Sequence, residues 1–173
     1  FLPGGNSNLQ LVTSANYEFV QQQFTFIEPY REVEFARNWS TAANAQPATE
    51  HLANASAQLK MGKNTDLGYR FGVFVRGGNQ YKGAMHSINA RYRSKNGLNA
   101  VFNLSYLNAN AATGENSRFL RPNAELSKTM GKKKWQMGIK AEQERNRITS
   151  SDTLSANSFY YNQTELFVKT PDS

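Results

Sequence analysis

Between Thr65 and Ala109 the chain carries three consecutive runs in which apolar and polar residues take turns. In the first, Leu67, Tyr69, Phe71, Val73 and Val75 fall on one side, and Gly68, Arg70, Gly72 and Arg76 on the other. In the third, Leu98, Ala100, Phe102, Leu104 and Tyr106 oppose Asn99, Asn103 and Ser105. A period of two sends alternate side chains to opposite faces of an extended strand, whereas a helix would mix the two sets around its surface. The runs are joined by GGNQ and SKNG, whose Gly and Asn supply the positive φ of a tight hairpin. The pattern predicts an all-β fold, an antiparallel meander of long amphipathic strands that forms a barrel or barrel-like sheet.

The flanking sequence extends the same pattern. Leu9 to Phe19 predicts a first strand, Gln22 to Ile27 a second that Glu28-Pro29 stops, and Tyr30 to Trp39 a third with charge on both faces. Ser40 to Thr49 reads as a loop. EHLANASAQLKM, from Glu50 to Met61, fits a short helix capped by Thr49 or a strand, and the longer match is to the strand. After the central triplet, ANAATGENSRFLRP has no period and reads as a polar loop, with a weaker strand from Pro122 to Gly131. GKKK then turns the chain into a strand beginning at Trp135. RITSSDTLSANS reads as a further polar loop before a last strand around Phe159 to Lys169.

Composition narrows the chemistry. The 173 residues fit one domain with a core. The chain begins at Phe1 and ends at KTPDS beside a strand-like run, as a mature secreted protein, a trimmed chain or one section of a larger protein would, and a section of a larger β-barrel protein is expected. With no cysteine there is no disulfide or thiolate chemistry. No apolar stretch approaches the roughly 20 residues of a membrane-spanning helix. The net charge of +7 is scattered, and the one compact run, Lys132 to Lys134, sits in a hairpin. His51 and His86 lie on different strands without the convergent partners a metal needs, so neither a metal nor a cofactor is expected. Glu28, Glu32 and Glu34 interleave with Arg31 and Arg37, and Glu142 and Glu144 precede Arg145 and Arg147; both groups read as cross-strand ion pairs rather than an acid–base couple. Tyr81, Lys82, Arg91, Tyr92 and Arg93 mix aromatics with cations, but Tyr92 points away from Arg91 and Arg93, so nucleic acid is not an expected partner. The sequons at Asn38, Asn54, Asn103 and Asn162 are what so Asn- and Ser-rich a chain yields by chance. No nucleophile elbow or phosphate-cradling glycine loop occurs, and a non-catalytic role is expected.

Several runs alternate for about eleven residues, against about 5–6 in an ordinary strand and roughly 9–11 in a tilted strand that crosses a bilayer. In this the chain resembles the β-barrels of Gram-negative outer membranes. YREVEFARNW, Tyr30 to Trp39, is also similar to a segment of large outer-membrane proteins of Bacteroidota. The resemblance implies an outer-membrane location with lipid, or another envelope protein, against the apolar face. A structural or transport-type role would follow, with Lys140, Glu142 and the arginines of the polar face lining a wet interior. Arg70, Arg76, Arg91 and Arg93 are then the expected binding residues, and an anionic solute their expected ligand. Tyr69, Tyr81, Tyr92, Tyr106 and Trp135 lie near run ends, as an interfacial girdle would require. The alternative is a soluble periplasmic or secreted β-barrel or sandwich, its apolar faces lining a cavity for a ligand or partner and its arginines facing solvent. Lys128 and His86 depart from the membrane pattern, since both fall on the apolar side, where a midplane Lys costs about 2–4 kcal/mol.

Overall fold

A computed structural model describes residues 9–22, 38–39, 48–77, 80–112, 114–131, 135–149 and 157–170. Eight strands follow one another: β1 (Leu9–Val20), β2 (Glu50–Met61), β3 (Thr65–Arg76), β4 (Tyr81–Arg93), β5 (Leu98–Ala111), β6 (Asn116–Met130), β7 (Trp135–Thr149) and β8 (Asn157–Lys169). They form a single sheet in sequence order, each strand antiparallel to the next. The meander is therefore as expected, and the sheet is open, with β1 and β8 as its two edges. The segment from Glu50 to Met61 is a strand, paired on both sides, and not a helix.

Four boundaries differ from the sequence expectation. β5 runs on to Ala111, β6 starts at Asn116 instead of Pro122, β7 reaches Thr149, and β8 starts at Asn157. Pro122 misleads because proline usually opens or ends a strand. Here it sits mid-strand, opposite Leu104 of β5, while pairing to β7 breaks at Arg121 and Pro122 and resumes in register at Asn123. The missing N–H thus falls on one ladder only. Most of Gln22–Ile27 and Tyr30–Trp39 lies outside the described residues, as do Glu28, Glu32, Glu34, Arg31, Arg37 and Lys132 to Lys134. Where those segments are described, Gln22 is in a turn, and Asn38 and Trp39 are helical rather than extended.

Residues paired across an antiparallel ladder share a face, so the register assigns every side chain. One face is apolar over most of its height and carries Leu11, Leu67, Phe71, Phe102, Leu126 and Ile139. The other carries the arginines, amides and hydroxyls, with Arg70 and Phe71 on opposite sides. Burial runs against this chemistry. Every buried strand residue, from Phe74 and Tyr81 on β3 and β4 to Phe119 and Ser127 on β6, lies on the polar face. The large exposed hydrophobics lie on the apolar face, except for Val12, Phe159 and Tyr161 on the two edge strands.

The buried cluster occupies the upper part of the polar face, near the end that carries the β1–β2 connection. Trp39, from that connection, packs its ring 5.5 Å from Phe74, and the Tyr81 ring lies at the same distance from Phe74. Leu107, Ala109 and Phe119 complete the cluster. Gly83 makes room for the indole, because a Cβ there would lie 3.1 Å from Trp39. The Tyr81 hydroxyl donates to the Trp39 carbonyl. This packing explains why Trp39 leaves the alternating pattern: its ring fills a hollow in the sheet instead of extending it.

Phe74 is 1% exposed and Leu67 38% exposed, though they sit seven residues apart on one strand. Phe74→Ala should cost about 3–5 kcal/mol, as for other buried aromatics. Leu67→Ala should cost under about 1 kcal/mol in water, because its site is uncovered. Midpoints of chemical unfolding for the two variants check the difference.

Candidate functional site: a polar trough around Arg70

Arg70 lies at mid-height on β3, between Gly68 and Gly72 on the same face. Both glycines have negative-φ strand geometry, so their use here is spatial. A Cβ at Gly68 would meet the Asn89 side chain at 2.2 Å from its Oδ1, and one at Gly72 would meet Asn54 Oδ1 at 2.7 Å. The two carboxamides, one from β2 and one from β4, lean into the clearings above and below the arginine. Directly across from Arg70 stand Ser56 on β2 and Ser87 on β4. The row continues in both directions, with Ser14–Ser56 hydroxyls 2.7 Å apart and Ser87–Ser105 hydroxyls 3.4 Å apart. The result is a half-open trough of about 420 Å³, whose polar lining includes Ser56, Gln58, Arg70, Ser87, Asn89 and Arg121.

Arg121 ends the row on β6. Its Nη2 lies 3.1 Å from Glu144 Oε1, and its Nη1 donates to Asn38 Oδ1 at 3.3 Å. The same side chain therefore marks the upper wall of the trough and ties down the segment that carries Trp39. Sequence reading misses it, because the stretch before Pro122 looks like a loop. Continuing the period of two through the proline, with Ser117, Phe119 and Arg121 on one side and Arg118, Leu120 and Pro122 on the other, would have found it.

The four arginines expected to bind all lie on the polar face, but they do not converge. Arg76 is held by Glu50, Nε to Oε1 3.3 Å, with both side chains largely buried at the upper end of the sheet. Arg91 lies below the trough, opposite Asp66 on one side and Val101 on the other, and Val101 separates it from Glu125, which faces Lys140. Arg93 is at the lower end of β4, where its backbone N–H donates to the Asn64 carbonyl. Arg70 alone of the four projects into the trough, and among the described residues no carboxylate pairs with it. Lys140 and Glu142 pair with each other at 3.2 Å. Glu144 pairs with Arg121 rather than with Arg145, which points to the other face. Among the described residues no three metal-ligating side chains come together.

On the apolar face, the two histidines are absorbed by tyrosines. Tyr17 Oη lies 2.6 Å from His51 Nδ1, and Tyr69 Oη 2.7 Å from His86 Nδ1. Each imidazole also packs on a phenylalanine, Phe19 or Phe71, at about 5 Å between ring centroids. A hydrogen bond of this kind lowers the cost of carrying a polar ring on an otherwise apolar surface. Tyr92 and Trp135 mark the lower limit of that surface.

No family model, curated protein or solved structure matches the chain. What the trough can do chemically follows from its donors. A guanidinium with free N–H groups and two carboxamides favours an anion with further hydroxyls, and nothing in the trough is arranged as a nucleophile beside a base. Glu144→Gln should loosen Arg121 and with it the Asn38–Trp39 segment. In a Trp135→Phe background, so that Trp39 is the sole tryptophan, its fluorescence should shift to the red, as for an indole gaining contact with water.

Proposed function

We propose that this chain forms part of the wall of an outer-membrane β-barrel, with its apolar face toward lipid and its polar face toward an aqueous interior. Its role is structural, or the binding and passage of an anionic solute, and not catalytic. One observation carries this reading. The uncovered face is the apolar one, and its upper limit cuts obliquely across the register. Val75, the uppermost apolar residue of β3, aligns with Lys82, Asn110, Asn116 and Thr149 on β4 to β7. The uppermost apolar residues on those strands are Ala84, Tyr106, Leu120 and Ala141, which lie two, four, four and eight residues further down. The limit drops by about two residues per strand. That is about 6.6 Å of rise for each 4.8 Å of lateral spacing. Strands inclined by about 54° to the normal of a flat slab would give such a line, more than the typical tilt of about 35–45° in barrels.

Other features support the same placement. The apolar run is nine residues long on β3, Leu67 to Val75, and on β5, Leu98 to Tyr106. This is about what a tilted strand needs to cross a bilayer. All three connections at the lower end are short, 62–64, 94–97 and 131–134, whereas the upper end carries the two longest, 21–49 and 150–156, beside two short ones, 77–80 and 112–115. Short turns on one side and longer loops on the other are usual for such barrels. Lys128 stands two residues from the end of β6, beside Leu98 and Met137, where its stem can lie on apolar surface while the ammonium reaches the interface. A soluble barrel with its apolar side inward would bury that side, and here the covered side is the polar one.

Because the chain contains no cysteine, single substitutions report each face cleanly. In membranes that hold the protein, a membrane-impermeant maleimide should label Arg70→Cys and spare Phe71→Cys until detergent is added. Equal labelling of the two before detergent, or purification as a monodisperse monomer without detergent, would sink the membrane assignment.

A further inference from the structure

We infer that the trough around Arg70 is a binding site for a small polyhydroxylated anion, a monosaccharide-sized solute bearing a carboxylate or a phosphate. The inference rests on the polar face lining an aqueous interior and assigns that interior a ligand class. Three features of the trough point to it.

The first is the arginine's isolation. Arg76, Arg121 and Lys140 each have a carboxylate in reach, whereas Arg70 has none among the described residues. Its fork of N–H donors is free for an external anion, and a guanidinium matches carboxylate or phosphate oxygens in pairs.

The second is how the surroundings are shaped. Gly68 and Gly72 strip the arginine's own strand of side chains on either side of it, and the clearings are filled by Asn89 and Asn54 from the neighbouring strands. Any larger residue at either glycine would displace an amide. The Gly68–Asn89 clearing opens into the trough, whereas Gly72 also stands beneath the Trp39 ring, 3.4 Å from where a Cβ would lie.

The third is the mixture of groups. Asn89, Asn103, Gln58, Ser56 and Ser87 line the trough and offer both donors and acceptors. An inorganic anion uses donors only, and an apolar organic acid uses neither set. Vicinal hydroxyls use both. The volume of about 420 Å³ lies at the small end of the range for ligand sites, which suits a single sugar ring and not an oligomer.

Binding is measured by titration calorimetry on the purified, folded protein, in detergent if it requires detergent, with four probes. Glucose 6-phosphate and galacturonate represent the two anion types, while glucose and inorganic phosphate each carry half of the recognised chemistry. At least one hydroxylated anion should bind, and more tightly than glucose or phosphate; which of the two is preferred identifies the acid group. Arg70→Gln should weaken binding by about tenfold or more, the range for a hydrogen-bonded charge. Arg70→Lys should give a smaller loss, and Asn89→Ala and Asn103→Ala losses of about threefold or more each. Arg118→Gln, on the opposite face, should leave binding unchanged. Circular dichroism and unfolding midpoints identify any variant that fails to fold, and the two asparagine variants then carry the test.

The inference is overturned if neither hydroxylated anion binds, if phosphate or glucose binds as tightly, or if folded Arg70→Gln and both asparagine variants bind as the parent does. Thiol labelling at positions 70 and 71 decides the membrane assignment separately. Correct labelling without binding removes the ligand class alone, and reversed labelling removes the interior on which it rests.

Discussion

The antiparallel ladder determines everything else in this molecule. Neighbouring strands stay in one continuous register, so each side chain inherits its face from its partner, and a slip of one residue would move a whole strand's apolar set to the wrong side. That register gathers residues far apart in sequence into common rows. Ser14, Ser56, Arg70, Ser87, Ser105 and Arg121 come from six strands and share one. The trough, the row beneath it and the apolar band behind it are all products of pairing, not of local conformation.

Upon that frame the sheet divides its labour by height as well as by face. The upper polar face is filled by Phe74, Tyr81, Leu107, Phe119 and the inserted Trp39, and this is where its hydrophobic packing is concentrated. The middle is open and hydrophilic. The link between them is Arg121, which touches Glu144 on one side and Asn38 on the other. Its position at the proline gap is suggestive in physical terms: where the β6–β7 ladder lacks backbone bonds, a side-chain ion pair spans the same two strands.

Much of this was legible in advance. The alternation within Leu67 to Val75 and within Leu98 to Tyr106 is clear enough that strand type, facing and meander follow from it, and so does the placement of all four arginines on the polar side, although His86 falls on the apolar face and Phe74 on the polar one. The period of two carries no information on what lies opposite, however. Arg76 could not be seen to pair with Glu50, nor Arg70 to stand alone, because those facts depend on registers set across 26 residues or fewer of intervening turn and strand. Proline hid β6's first half, since a rule about strand ends cannot anticipate a break confined to one ladder. Trp39 was hidden for the opposite reason. Its alternating neighbourhood favoured a strand, and tertiary packing on Phe74 overrode it.

The open rims of the sheet carry a consequence of their own. Among the described residues nothing pairs with the outer row of amide and carbonyl groups on β1 or on β8. Neither strand contains proline, and the twelve residues of β1 include Glu18 as their single charge. Water can satisfy such rims, though at the cost of inviting any passing strand to join. Hydrocarbon cannot, since each orphaned group there costs several kcal/mol. A sheet of this kind could therefore rest in a bilayer only if both rims were sealed by strand partners.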